Sequence, residues 1–98
     1  MTKDDIKKIV RDNKSILDKY KVTYIALFGS YVRNEQRQDS DIDFLVEFKE
    51  PTYRNYIGFR SEMEKLLGEN IDLVCRDALK PRIKPYILPE AEEIKCME

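Results

Sequence analysis

The chain has 98 residues, 42% hydrophobic and 38% charged, with 18 Lys and Arg against 19 Asp and Glu and no histidine. That length and balance suit one globular domain over residues 1–98 with a modest core, not two. A formal charge of −1 leaves no surplus cations to displace counterions from a nucleic-acid backbone, which counts against a template-copying polymerase, and the missing histidine excludes His-ligated zinc and any His base or nucleophile.

Thr2 with Asp5 three residues on forms a capping-box-like helix start, Asp standing in for the preferred Glu. Ile6, Ile9, Val10, Ile16, Leu17 and Tyr20 then recur at helical spacing, which predicts one amphipathic helix to about Tyr20. Lys3, Lys7, Lys8, Arg11 and Lys14 decorate it; a solvated face with acidic neighbours explains them more simply than contact with RNA or a partner. Val22 to Phe28 is nearly continuously apolar and reads as a strand covered on both sides. Gly29-Ser30 makes a tight strand-to-helix turn, since Gly permits unusual φ and Ser is a good N-cap. A short helix from Ser30 to about Glu35 follows, then an exposed loop, because 34–40 holds no apolar residue.

Asp41 to Phe48 reads as the second strand, ended by Pro51. A second amphipathic helix follows, with Tyr56, Ile57, Phe59, Met63, Leu66 and Leu67 on one side and Gly68 closing it. Tyr53, Tyr56 and Phe59 invite a base-stacking reading, but helix packing accounts for their spacing more simply. Ile71 to Cys75 is a third short strand. Over 78–94 a four-residue apolar period is interrupted by Pro81, Pro85 and Pro89, which predicts a broken helix, and Lys95 to Glu98 should fray. The order αβαβαβα gives an α/β (α+β) fold, a small sheet of about three strands with helices packed against it. Cys75 and Cys96 form no C-x-x-C; without a signal sequence or a transmembrane-length apolar run, the expectation is a cytoplasmic protein with reduced thiols and no membrane contact.

Chemistry concentrates between Gly29 and Asp43. Backbone N–H groups at a helix start favour an anion, and Ser30 can add its hydroxyl. Strand alternation puts Asp41 and Asp43 on one face, with Ile42, Phe44 and Val46 on the other. A phosphate cradle beside a carboxylate pair points to a divalent-metal nucleotide site. Mg²⁺ prefers oxygen ligands, and two carboxylates on one face can share two ions in the clamp used for in-line displacement at phosphorus; edge-strand charges that deter aggregation are the alternative. Asp72 is the single charge in its apolar strand, costly there unless it is paired or ligates metal, and alternation lets it face the Asp41/Asp43 side. An exposed strand residue is the alternative reading of Asp72. Arg33, one turn beyond Ser30, could stabilise a pyrophosphate leaving group, or form a surface ion pair with Glu35 or Asp39. Ser40 suits a turn or the orientation of the Asp pair, and Arg37 and Arg76 flank the presumed site.

The pattern Gly29-Ser30, ten residues, Asp41-x-Asp43 resembles the DNA polymerase β-like nucleotidyltransferase superfamily, and the short chain looks most like its minimal nucleotidyltransferase (MNT) branch. The resemblance is good over about 20–76 and looser beyond. It implies a mixed sheet of polymerase β palm-like fold, catalytic and metal-binding roles for Asp41, Asp43 and Asp72, and nucleotide binding by Gly29, Ser30 and Arg33. It also implies two Mg²⁺ ions, replaceable by Mn²⁺, and transfer of a nucleoside monophosphate from ATP or another NTP to an acceptor hydroxyl. MNT proteins commonly act as antitoxins to HEPN-domain ribonucleases and are thought to add AMP to a tyrosine of that partner. Two alternatives stay open: a non-catalytic module that masks its partner, and a small-molecule (aminoglycoside-like) nucleotidyltransferase. No direct nucleic-acid binding is expected.

Overall fold

The computed structural model describes residues 1–95; Cys96 and the rest of the fraying expected after Lys95 lie outside the described residues. Four strands, β1 (Val22–Phe28), β2 (Ile42–Phe48), β3 (Ile71–Cys75) and β4 (Glu92–Glu93), form one sheet in the order β3-β2-β1-β4. β1 runs antiparallel to β2 and to β4, while β2 and β3 are parallel. The sheet is therefore mixed, as the resemblance implies, with four strands instead of about three. The parallel return from β2 to β3 needs a crossover, supplied by helix α3 (Tyr53–Leu67).

Strand alternation divides the core in two. Ile25, Leu27, Ile42, Phe44, Val46, Ile71 and Leu73 face one way. There they meet Ile6 and Val10 of helix α1 (Lys3–Asp12), Leu17 of α2 (Lys14–Lys19) and Phe59, Met63 and Leu67 of α3. Each such large side chain, fully buried, contributes about 1.5–3 kcal/mol of transfer free energy. The opposite face carries only Ala26 and Leu45 fully buried, roofed by Leu79 with Ile87 and Ala91. This thin side is the one that carries the polar chemistry.

The N-terminal helix predicted through Tyr20 is two helices. Asn13 breaks it at φ −120°, ψ 38°, and its side-chain amide donates to the Ile9 carbonyl at 2.8 Å. A side chain that bonds the backbone in this way competes with helix continuation. The capping box is present: the Thr2 N–H donates to Asp5 at 2.9 Å, and the Asp5 N–H donates to the Thr2 hydroxyl at 3.3 Å. Lys8 pairs with Asp12 and Lys14 with Asp18, while Lys3 and Lys7 both reach Glu92 and tie α1 to β4. Those two ammonium groups hold the Glu92 carboxyl below the usual carboxylate range.

Helix α3 starts at Thr52, whose hydroxyl accepts the Asn55 N–H at 3.1 Å, and Gly68 ends it at φ +70°, the left-handed closure expected of it. Phe59 is buried and the Tyr56 hydroxyl donates to the Leu73 carbonyl, which leaves no stacking platform in that row. The broken helix expected over 78–94 reduces to one short helix, α4 (Lys84–Ile87), with Pro85 in its first turn. The chain then returns to the sheet as β4, where the Ile94 N–H donates to the Ile25 carbonyl at 2.8 Å. Two consecutive glutamates carry no apolar alternation, so β4 left no pattern to read. Among the described residues, no helix is long and apolar enough to cross a membrane.

Candidate active site

β1 ends at Phe28, directly opposite Asp43 on β2. The chain then turns at Gly29 with φ +81°, and a β-carbon there would stand 2.2 Å from the Asp43 Oδ2. Only glycine allows both the backbone angle and that approach. Behind Gly29 runs a single 3-10 turn, Gly29–Tyr31, pinned by buried Tyr31. The Val32 and Arg33 N–H groups both donate to the Gly29 carbonyl, and Asn34 ends the turn at φ 58°. The short helix expected from Ser30 to Glu35 is thus only this turn, and Phe28, not Ser30, occupies its cap position. One turn aligns too few peptides for a useful macrodipole, so any attraction for an anion would rest on individual N–H groups and on Arg33.

β2 begins at Ile42, one residue later than expected, which leaves Asp41 just before the strand. Asp43 and Asp72 are register partners across β2 and β3, so their side chains share one sheet face, the thin one. Asp43 is half-buried, while Asp41 and Asp72 are exposed. Burial, then the charges of Asp72 and Asp41, push the Asp43 carboxyl up to about 6; Arg33 acts in the opposite sense and Glu90 adds to the rise. Among the described residues, no three metal-ligating side chains stand close enough together to enclose an ion. The structure brings Asp43 and Asp72 side by side with Asp41 flanking them. Oxygen donors whose mutual repulsion already raises a pKa fit a hard divalent cation, which would relieve that repulsion.

Arg33 divides its guanidinium between two carboxylates, Nε to Glu35 at 2.9 Å and Nη1 to Glu90 at 2.5 Å. The ion pair with Glu35 considered from the sequence is present. Glu90 was not foreseen: its other oxygen accepts the Gly29 N–H at 3.2 Å. The only sequence signal was an acid after Pro89, far along the chain from Gly29. Ser40 serves the turn, its hydroxyl accepting the Arg37 N–H at 2.7 Å. Arg76 does not flank the site. It pairs with Glu47 at 2.5 Å and lies 4.0 Å from the centre of the Tyr24 ring, about 13 Å along the strands from Asp72 at ~3.3 Å per residue. A hollow of about 330 Å³ lies away from these residues, lined by Lys14, Leu17, Val22 and Ile94.

Comparison with known proteins gives four findings. Residues 4–94 match the family described as nucleotidyltransferase domain. A Methanocaldococcus jannaschii protein, provisionally named protein adenylyltransferase MJ0128, is 49% identical over 94 residues, covering 94% of this chain and 93% of that protein. Among solved structures, one provisionally described as a minimal nucleotidyltransferase superposes with a TM-score of 0.79 at 32% identity, covering 93% of this chain and 94% of the other. A tri-AMPylated Shewanella oneidensis HEPN toxin in complex with MNT antitoxin gives a TM-score of 0.65 at 17% identity, covering 93% of this chain and 73% of the other, and so shares the fold.

Proposed function

Because the chain belongs to the nucleotidyltransferase-domain family and is an enzyme of that kind, we propose that it moves AMP from ATP to a tyrosine hydroxyl of a HEPN-type toxin in the cytoplasm, and so acts as an antitoxin. The observation that carries the reading is the closure of Gly29 onto Asp43 with Asp72 in register beside it. Supporting it are the adenylyltransferase name of the M. jannaschii relative and the AMPylated toxin bound to an antitoxin of the same fold.

Asp41, Asp43 and Asp72 would hold the Mg²⁺ ions, two by the chemistry of the donor set, with Mn²⁺ able to substitute. Bound there, divalent cations neutralise the triphosphate and lower the pKa of the acceptor hydroxyl. Gly29, with no side chain in the way, brings the turn's backbone against the phosphates. Ser30 adds its hydroxyl and Arg33 its guanidinium, aimed at the charge that develops on pyrophosphate. The acceptor oxygen forms a bond to the α-phosphorus as the bond from that phosphorus to the bridging pyrophosphate oxygen breaks. The hydroxyl proton passes to Asp72 and on to water. Exposed Asp41 and Asp72 suit an acceptor presented by another protein.

The experiment follows label from ATP. With the α-phosphate labelled, label should move to the partner protein in the presence of Mg²⁺; with the γ-phosphate labelled, it should leave as pyrophosphate. Transfer of γ-label, or of none, overturns the reading.

A further inference from the structure

Glu90 stands where an anion would be held. It bridges the Gly29 N–H and the Arg33 guanidinium, at 3.2 and 2.5 Å, and its side chain is only 22% exposed. It does so in a neighbourhood already crowded by Asp41, Asp43 and Asp72, and its charge adds to the load on Asp43. A carboxylate drawn into such company is held by strong donors. The backbone beneath it is anchored, since the Ala91 N–H donates to the Ile87 carbonyl at 2.9 Å and both residues pack on the Ala26, Leu45 and Leu79 cluster. The side chain itself keeps the rotamers of a glutamate and can swing clear without moving that backbone.

We propose that the Glu90 carboxylate is an internal competitor for the nucleotide's phosphates, seated on Gly29 and Arg33 until a triphosphate displaces it. The proposal rests on the reading of those two residues as phosphate-binding groups. A phosphate oxygen and a carboxylate oxygen need the same donors, so one must leave for the other to enter. Glu90 therefore sets the affinity for ligands that carry phosphate at this turn, and leaves a ligand too short to reach it unaffected. A positioning role, in which Glu90 holds Arg33 ready for the substrate, predicts the opposite sign.

Calorimetric titration with Mg²⁺ and a non-hydrolysable ATP analogue, with inorganic tripolyphosphate, and with AMP tests this. Glu90→Gln and Glu90→Ala should each bind the analogue and tripolyphosphate about tenfold more tightly, a change of about 1.4 kcal/mol, with AMP unchanged. Glu35→Gln removes a like charge and another Arg33 partner without touching Gly29, and should gain twofold or less on the order expected of exposed pairs. Unchanged or weaker binding in both Glu90 variants overturns the competitor, as does an equal gain in Glu35→Gln. If Arg33→Ala binds tripolyphosphate as well as the wild type, the phosphate-binding reading of Arg33 fails first, and the competitor with it.

Discussion

Gly29 and Asp43 are held so close that a β-carbon at position 29 would stand 2.2 Å from the Asp43 Oδ2. The turn after β1 and the carboxylate on β2 therefore have one geometry between them. Gly29→Ala should lose about 1–2 kcal/mol of stability through its positive φ and at least about tenfold in rate through displacement of Asp43. Urea unfolding beside a transfer assay checks both, and a variant of full activity would separate the turn from the chemistry.

Asp43 should cost the metal-free protein stability. Its carboxyl titrates near 3.8 when unfolded and at about 6 when folded. Between those values the folded state binds the extra proton, so this group's contribution is fully present at low pH and is lost as pH rises through about 6. At face value the difference is about 3 kcal/mol; solvent screening of a half-buried group reduces the expected gain in Asp43→Asn at pH 7 to about 1 kcal/mol. Thermal melts in a chelator should therefore show the variant about 4–8 °C higher. Mg²⁺ should raise the wild type and leave the variant unmoved, and the variant should be inactive.

Ser30 and Arg33 should separate by kinetics. Ser30→Ala keeps the backbone N–H groups, so a partial loss confined mostly to nucleotide affinity is expected. Arg33→Ala should lower kcat by about 10- to 100-fold if the guanidinium steadies the leaving group. Its exposed ion pairs contribute little to folding, so the melting curve should hardly shift. An Arg33 variant with wild-type kcat at saturating ATP would return the residue to a surface role.

Leu79 anchors the roof of the thin face. Leu79→Ala should cost about 2–4 kcal/mol and loosen the segment that carries Glu90. Hydrogen exchange at Ala91 and Ile94, whose N–H groups bond to Ile87 and Ile25, should accelerate more than exchange at buried Phe44.

The proximity of Gly29, Asp43 and Asp72 was legible in the sequence because it depends on local spacing: a turn at a strand end, and alternation along two apolar strands. The three main strands were legible for the same reason, within a residue. What was not legible depended on distant partners. β4 exists because the Glu92–Glu93 backbone meets β1; the break at Asn13 is the local exception, a side chain turning back to Ile9 where the apolar spacing predicts continuation. Arg76 was drawn off by Glu47 and Tyr24. Glu90 reaches the site from the far end of the chain, and no periodicity records such a reach.

Mass spectrometry of the partner decides whether this protein modifies it at the Asp43 site. A HEPN-type toxin from the same cells is treated with about one-tenth of an equivalent of this protein, ATP and Mg²⁺, and the protein is then removed; inhibition by occupancy alone would follow the bound fraction and vanish. Modification should leave AMP on a toxin tyrosine and suppression that persists, with neither result for Asp43→Asn. An unmodified toxin, silenced only at equal amounts and equally well by Asp43→Asn, would contradict it.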